Sequence, residues 1–270
     1  MEQYLWLIPV GFGVGAFGTL IGAGGGFILV PALLLVYPQE NPETITSITL
    51  AVVFFNALSG SWTYGRMHRI DYKSGLLFSA ATIPGAILGA LSTAYIPRRL
   101  FDGIFGVFMI AMSALLLLGP GKRKLLGEPS PGKSDPGHAL KLPISNFVPS
   151  SILPGFGLSL ILGYLSTLLG IGAGFIYVPV FVYLLDFPVR IATATSQFIL
   201  ALTAFTGSTT HIAMGLFHRG VRRTIVLSVG VILGAQLGAR LSECIQDNWI
   251  IRGLAVAIGF VGFRILLMAF

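Results

Sequence analysis

The stretch GAGGGFILVP at residues 22–31 lies in the middle of 37 consecutive residues without a charge, residues 3–39. Four glycines and a proline are unexpected there, because glycine weakens a helix by about 1 kcal/mol relative to alanine and proline by about 3 kcal/mol. A second stretch, GIGAGFIYVP at residues 170–179, repeats the pattern inside another uncharged run. The repetition indicates a helix break that serves a purpose in each half of the chain.

The surrounding chain is strongly apolar: 270 residues, 54% hydrophobic and 10% charged, with a mean hydropathy of +0.86. Soluble domains are about 25% charged. Uncharged runs cover residues 3–39, 44–65, 74–97, 103–121, 142–185 and 191–218. Most of them exceed the roughly 20 residues that span a bilayer. The sequence therefore predicts an all-helical polytopic membrane protein, since a soluble core does not explain six such runs.

The net charge of +7 does not indicate nucleic-acid binding, because the basic residues cluster between the apolar runs, as membrane topology requires. The single cysteine, Cys244, excludes an internal disulfide and offers no metal cluster. The N-terminal segment carries Glu2 and no basic residues before its apolar stretch, so we expect no cleavable signal peptide.

The chain is predicted to be an internal duplication. A shift of 148 positions places Gly22, Gly24, Gly26, Phe27 and Pro31 on Gly170, Gly172, Gly174, Phe175 and Pro179. Shifts of 147 and 149 superpose further Thr, Ser, Gly and Ala positions of residues 46–67 and 85–90 on the second half. Chance does not keep nearly one offset over such a length. We therefore predict a first repeat at 1–120, a linker at 121–149 and a second repeat at 150–270.

Each repeat begins with the glycine-broken unit and continues with three predicted spans. The spans are residues 44–65, 73–96 and 100–120 in the first repeat, and 190–213, 222–243 and 249–269 in the second. Residues 121–142 of the linker are rich in Pro, Gly and Lys and are predicted to be exposed. Five basic residues in this segment place it in the cytoplasm.

The first glycine-broken unit, residues 4–38, is too long for one crossing, because a continuous helix of that length reaches about 50 Å against a hydrocarbon core of about 30 Å. It is either a tilted, kinked helix or a re-entrant hairpin with a glycine turn at depth. Hairpins give each repeat an odd number of crossings and make the repeats inverted, whereas kinked helices make them parallel. The distribution of basic residues hardly separates these topologies. We favour hairpins and an inverted repeat, a plan common among transporters with broken helices.

A helix break at membrane depth suits an anion. Irregular backbone survives there only inside protein or beside a water-filled cavity, and a helix N-terminus offers unpaired N–H groups and a positive dipole end. We predict that the turns hold a small anionic solute through Gly24, Gly25, Gly26, Gly172, Ala173 and Gly174. The structural alternative is that these glycines permit close helix packing.

The first predicted span after each glycine-broken unit carries a polar, small-residue face at helical spacing. Its members are Thr46, Thr49, Asn56, Gly60 and Thr63 in the first half, and Thr193, Ser196, Gln197, Thr203, Gly207, Thr210 and His211 in the second. Such a face also glues helices together. For Asn56 and Gln197 we favour a cavity, because buried amides are hard to satisfy locally. Thr49, Ser196 and Thr203 are predicted to complete the site. His211, near a span end, is predicted to be a satisfied interfacial histidine rather than a proton carrier.

Other chemistry is not indicated. All ten acidic residues lie in loops or near predicted span ends, so no mid-membrane carboxylate relay is visible. The sequence contains no nucleotide-binding loop and no HExxH, CxxC or GxSxG motif. We therefore expect no enzyme, no ATP drive within this chain and no cofactor. The residues alone favour secondary transport of a small anion.

The duplicated glycine–proline motif, ATATSQ at residues 192–197 and RMHRID at residues 66–71 resemble the sulfite exporter TauE/SafE family, also called the 4-toluene sulfonate uptake permease family. The resemblance covers nearly the whole chain outside the linker. Two departures, Ala173 in the second motif and SITLAV in the first half, put the symmetry of the site in doubt.

The resemblance implies a multi-pass transporter in the plasma membrane of a prokaryote. Its implied substrates are small sulfur-containing anions: sulfite, thiosulfate, sulfonates or sulfoacetate-like compounds. The implied partners are this anion and membrane lipid, with no nucleic acid. Three alternatives remain: an anion channel that uses the same glycine turns, a membrane-embedded enzyme, and a non-transporting scaffold, which needs no polar cavity at residues 24–26 and 172–174.

Overall fold

The computed structural model describes residues 6–118, 152–172, 174–183, 187–216, 220–242 and 259–267. The helices are α1 (Leu7–Ile21), α2 (Gly26–Val36), α3 (Pro42–Arg66), α4 (Tyr72–Thr93), α5 (Arg98–Leu118), α6 (Ile152–Leu168), α7 (Gly174–Tyr183), α8 (Val189–Ala213) and α9 (Val221–Leu241). Residues 259–267 are also helical, and no strand occurs in the described part of the chain. Ala173, Cys244 and the predicted linker at 121–149 lie outside the described residues.

The predicted all-helical membrane fold is confirmed. Four helices, α3, α4, α8 and α9, are long and apolar enough to cross a membrane, and they coincide with four of the predicted spans. The predicted span at 100–120 is the helix α5. The predicted span at 249–269 is helical over the part that the structure describes, residues 259–267.

Each glycine-broken unit is a pair of short helices rather than one kinked helix. The 15 residues of α1 extend about 22 Å and the 11 residues of α2 about 16 Å at 1.5 Å per residue. A β-carbon built on Gly25 would lie 2.8 Å from the Val14 carbonyl oxygen, so the chain folds back along α1 after its end. The pair α6 and α7 repeats the arrangement around residues 169–173.

The glycines of the first turn are required by the backbone. Gly22, Gly24 and Gly25 have φ of 80°, 73° and 77°, in the left-handed region that side chains disfavour. The Gly22 N–H donates to the Thr19 carbonyl at 2.9 Å, and the N–H groups of the next two residues both donate to the Gly18 carbonyl. This closes the C-terminus of α1 in the manner of a glycine C-cap.

The second turn repeats these bonds 148 residues later. Gly170 and Gly172 have φ of 70° and 83°. The Gly170 N–H donates to the Thr167 carbonyl at 3.1 Å, and the N–H groups of Ile171 and Gly172 both donate to the Ser166 carbonyl. The local sequence therefore encodes the same helix end twice.

The halves are interleaved. α1 packs along α9 and α6 packs along α4, in each case through glycines that let the backbones touch. A β-carbon on Gly234 would overlap the Phe12 carbonyl, and one on Gly85 would overlap the Leu160 carbonyl. At the centre, α3 crosses α8 in antiparallel fashion, with Gly60 against Gln197 and Gly207 against Leu50. This crossing places the polar faces of α3 and α8 beside the glycine turns.

Candidate functional site

The two glycine turns meet in the interior of the protein. A β-carbon on Gly26 would overlap the Ile171 carbonyl oxygen of the other turn, and one on Gly174 would lie 2.6 Å from the Gly22 carbonyl oxygen. The structure therefore brings together the two turns whose glycines are predicted to hold the anion. Ala173, the remaining predicted member, lies outside the described residues.

Two apolar side chains close the space between the turns. Val53 and Leu200 correspond to each other at a shift of 147, and both are buried. A β-carbon on Gly24 or on Gly172 would meet side-chain atoms of Leu200 and, slightly farther away, of Val53. In this conformation, Gly24 and Gly172 are packed against protein and do not line an open cavity. This packing agrees with the structural alternative, in which the glycines permit close helix packing.

Side chains of α3 and α8 hold the turns in place. The Ser196 hydroxyl lies 3.1 Å from the Gly22 carbonyl, to which it donates. Across the site, a β-carbon on Gly170 would lie 2.7 Å from the Thr49 hydroxyl oxygen, which donates to the Ile45 and Thr46 carbonyls of its own helix. Ser196 and Thr49 therefore lie at the turns, as predicted.

Beside the first turn lies a group that we call the amide cluster: Thr19, Asn56, Gly60, Tyr64 and Gln197. Gln197 Nε2 donates to Thr19 Oγ1 at 3.3 Å, and Thr19 Oγ1 donates to Asn56 Oδ1 at 3.0 Å. The Tyr64 hydroxyl donates to the Thr19 carbonyl at 2.9 Å. Gly60 makes room, because a β-carbon there would lie 2.8 Å from Thr19 and 2.9 Å from Gln197.

The amide cluster has spare hydrogen-bonding capacity. Asn56 and Gln197 are fully buried, yet Asn56 Nδ2 and Gln197 Oε1 have no partner. A buried polar group without a partner costs about 1–3 kcal/mol, so such atoms call for a ligand, a water or a change of conformation. The structure brings these two predicted site residues together from different helices, and the cavity predicted for them stays a prediction.

The backbone at the start of α2 adds donors. Its first hydrogen bonds run from Ile28 and Leu29 to the Gly25 carbonyl, and no side chain caps the helix. Among the described residues, neither Gly25 nor Gly26 donates its N–H to an acceptor. Unpaired N–H groups at the positive end of a helix favour an anion.

The equivalent place in the second half holds a different group, which we call the histidine cluster: Leu50, Thr167, Thr203, Gly207 and His211. A β-carbon on Gly207 would lie 2.6 Å from Thr167 and 3.1 Å from Leu50. The Thr203 hydroxyl donates to the Ile199 carbonyl of its own helix at 2.8 Å. The hydroxyl of Thr203, a predicted site residue, therefore makes its hydrogen bond within its own helix.

His211 differs from expectation. It lies near the end of α8, as predicted, but it is fully buried and neither ring nitrogen has a hydrogen-bond partner. The prediction of a satisfied interfacial histidine is wrong. This burial was not predictable from the pattern along α8, because helical periodicity does not tell which neighbouring helix covers a residue near a span end.

Two members of the amide cluster were missed at the sequence level. Thr19 lies 148 residues before Thr167, so the repeat itself could have identified it. Tyr64 lies 147 residues before His211, and this unlike pair gave no obvious match. Tyr64 becomes recognisable only where α1 and α3 pack together.

A cavity of about 560 Å³ opens between the second half of α3 and the middle of α8. Arg66 lines it and lies over the Trp62 ring, 5.0 Å from its centroid. Ser61, also in the lining, is buried, and its hydroxyl has no partner. Because Ser61 follows Gly60, the cavity approaches the amide cluster from the Arg66 end of α3.

Comparison with known proteins gives a consistent result. A family model described as "Sulfite exporter TauE/SafE" matches residues 7–265. "Probable membrane transporter protein YunE" of Bacillus subtilis is 30% identical over 275 residues, covering 98% of this chain and 97% of the relative. No solved structure matches the chain.

More distant relatives carry the same kind of name. "Probable membrane transporter protein MJ0441" of Methanocaldococcus jannaschii is 23% identical over 98% of this chain and 97% of its own length. "Probable membrane transporter protein YdhB" of Bacillus subtilis is 27% identical over 88% of this chain and 89% of its own length. The family match confirms the resemblance that the two glycine motifs indicated.

Proposed function

The chain belongs to the sulfite exporter TauE/SafE family of membrane transporters, and from that premise we propose that it is a secondary transporter of small sulfur-containing anions that works by alternating access. The anion is held between the glycine turns. The observation that carries the proposal is that the first turn has unpaired backbone donors at Gly25 and Gly26 among the described residues, while the buried cluster at the Thr19 side of the same turn holds an unpaired Asn56 amide nitrogen.

The donor set suits a sulfur oxyanion. Sulfite, thiosulfate and sulfonates each present three oxygens on one sulfur atom, and N–H groups from backbone and amides can bind several of these oxygens at once. Asn56 Nδ2 is ready to donate. Gln197 donates to the anion once its amide turns over, because Thr19 can then donate to Gln197 Oε1 in place of Asn56 Oδ1.

The packing supports an inverted repeat. α3 and α8 correspond at a shift of 147 and cross antiparallel, so an axis that exchanges them is perpendicular to both helices and lies in the membrane plane. Contacts between α1 and α9 exchange with those between α6 and α4 under the same operation, as in the pairs Gly234–Phe12 and Gly85–Leu160. Re-entrant helix pairs and repeats at 1–120 and 150–270, joined by a cytoplasmic linker, accord with this symmetry.

Alternating access requires the turns to open. Leu200 and Val53 close them in this conformation, while the cavity beside Arg66 approaches the amide cluster from one side. We propose that rocking of one repeat against the other moves Leu200 away and exposes the anion to each side in turn. The location that fits is the plasma membrane of a prokaryote.

The proposal is tested by calorimetric titration of the purified protein with sulfite, thiosulfate, taurine, sulfoacetate, sulfate and acetate. We expect at least one sulfur anion to bind and acetate to bind weakly. The test variant is Asn56→Leu, with Gly13→Ala as the matched control, because a β-carbon on Gly13 would have no atom within 4 Å. Binding that survives Asn56→Leu unchanged contradicts the site, and binding of no panel member contradicts the substrate class.

The anion channel and the scaffold are separated from the transporter by flux. In proteoliposomes, a carrier saturates with anion concentration and passes no measurable unitary current, whereas a channel conducts. The hypothesis of a non-transporting scaffold also predicts the close packing of Gly24 and Gly172. A cross-link that ties Leu200→Cys to Val53→Cys should therefore stop flux in a carrier, and absence of any flux in the uncross-linked protein favours the scaffold.

A further inference from the structure

One buried titratable group plays no part in the proposed anion site. His211 is fully buried in α8, and both of its ring nitrogens lack a hydrogen-bond partner in the part of the chain that the structure describes. The hydroxyl of Thr167, in the same cluster, is also buried without a partner. A neutral imidazole carries one N–H donor and one acceptor, so this cluster leaves a donor, an acceptor and a hydroxyl unsatisfied inside the membrane domain.

The position of His211 connects it to the second glycine turn. It follows Gly207 by one helical turn, on the face that touches Thr167. Because α3 and α8 are antiparallel and Gly207 lies against Leu50, His211 lies one helical turn farther along, at the level of Thr46 on α3. Thr46 in turn contacts the second glycine turn, since a β-carbon added to Gly170 would lie 3.0 Å from the Thr46 Cα. Its counterpart Tyr64 donates to the carbonyl of Thr19 at the end of α1, which is equivalent to Thr167 at the end of α6.

The charged surroundings of His211 are sparse. In the described residues, the helices packed on α8 carry the following charged or titratable groups: Glu43, Tyr64 and Arg66 on α3, Tyr72 and Lys73 on α4, Tyr164 on α6 and Tyr177 on α7. α8 itself adds Arg190 near its opposite end. Among these described groups, only Glu43 lies near the His211 end of the crossing, about two turns from Leu50 on the same side of α3. No ion pair involves His211 among the described residues.

We propose that His211 is a proton-binding site whose protonation is coupled to anion occupancy of the glycine turns. This inference rests on the proposed function and adds the coupling ion to it. Burial disfavours the charged form of an imidazole, and a nearby anion favours it. An arriving anion therefore draws a proton onto His211, and by reciprocity a proton on His211 tightens anion binding. The protonated ring has two N–H donors where the neutral ring has one.

The experiment measures protons taken up per anion bound. Thiosulfate is titrated into the purified protein in two buffers of different ionisation enthalpy at each of several pH values, and sulfite is the second probe. The variants are His211→Gln and His211→Tyr, which restores the residue type of Tyr64. The control is His68→Asn, because His68 is exposed in a loop with a φ of 55° that asparagine tolerates.

The expected result is proton uptake approaching one per anion in the wild type and in His68→Asn, and none in either His211 variant. Wild-type affinity should fall by at most about tenfold per pH unit as pH rises through the coupled range, whereas both His211 variants should show a flat profile. Because the comparison is between wild type and variant, protonation of sulfite itself cancels. Anion binding without proton uptake between about pH 5 and 8, or uptake that persists in His211→Gln, overturns the inference and leaves the proposed function standing.

Failure of the proposed function is distinguishable. If no panel anion binds, both the proposed function and the coupling fall. Nuclear magnetic resonance of ring-labelled histidine, in a variant with His68, His138 and His218 changed to asparagine, is recorded with and without thiosulfate and decides whether the bound anion puts a proton on His211. An imidazole that keeps one protonation state between about pH 5 and 8 while thiosulfate binds overturns the proton site and leaves the proposed function standing.

Discussion

The amide cluster and the histidine cluster lie at equivalent places in the two halves, yet their chemistry differs. Both have a threonine at a helix end and a glycine that admits it: Thr19 with Gly60 in one, and Thr167 with Gly207 in the other. Around this shared frame, Asn56, Gln197 and Tyr64 of the first cluster correspond to Thr203, Leu50 and His211 of the second.

The difference suggests a division of labour. The first half keeps amides, which bind without changing charge, and the second keeps one group that can change charge. Residues that set the backbone path, the glycines and threonines, are retained in both halves because each turn needs them. The two repeats keep the same backbone path but differ in these side chains. They can therefore place a ligand site on one side of the symmetry axis and a coupling site on the other.

The largest expected effect comes from breaking the frame that both halves share. Gly26→Ala should lower the thermal unfolding temperature by about 5–10 °C and abolish anion binding, because its β-carbon would overlap the Ile171 carbonyl. Gly174→Ala should act similarly but less strongly, since the nearest atom is 2.6 Å away. Differential scanning fluorimetry and calorimetric titration measure both effects.

Gly13→Ala is the control for both substitutions, because it adds a β-carbon to exposed helix with no atom within 4 Å. It should be neutral or stabilise by about 0.5–1 kcal/mol. If Gly26→Ala were as well tolerated as Gly13→Ala, the contact between the two turns would be wrong.

The next effect sharpens the difference between the clusters. Asn56→Thr gives the amide cluster the residue of the histidine cluster and removes the unpaired Nδ2 donor. Loss of a hydrogen bond to a charged ligand costs about 1.5–3 kcal/mol, so anion affinity should fall about 10–100-fold. The matched change Thr203→Val should leave affinity nearly unaltered, because that hydroxyl donates within its own helix. Equal losses in the two variants would contradict the asymmetry.

A smaller effect is expected at Gln197. Gln197→Leu places in the amide cluster the residue that occupies position 50 of the other cluster, and it removes the 3.3 Å bond to Thr19. Anion affinity should fall about tenfold, corresponding to roughly 1.4 kcal/mol. Stability should change little, because an unpaired buried Oε1 is removed with the bond. Leu50→Met, at the equivalent position of the histidine cluster, is the volume-matched control. If Leu50→Met lowered anion affinity more than Gln197→Leu did, the Gln197 amide would have a structural role rather than a role in binding.

The sequence predicted the parts of this site that recur. A helix end that requires glycines at positive φ depends on a few consecutive residues. The segments 22–26 and 170–174 were therefore recognisable from the sequence alone. Asn56 and Gln197 were predicted because buried amides are hard to satisfy by local hydrogen bonds. Contacts between halves were not predictable in the same way: whether Leu200 plugs the turns, or which helix covers His211, depends on how distant helices cross.

The smallest expected effect concerns Tyr64, the counterpart of His211. Tyr64→Phe removes the hydroxyl that donates to the Thr19 carbonyl, but this carbonyl still accepts the Gly22 N–H. One neutral hydrogen bond contributes about 0.5–1.5 kcal/mol, so the unfolding temperature should drop by only a few degrees, and the pH dependence of anion binding should not change. That unchanged pH profile separates Tyr64, which fixes a helix end, from His211, whose replacement should flatten the profile. A flattened profile in Tyr64→Phe would mean that the proton is shared across both clusters.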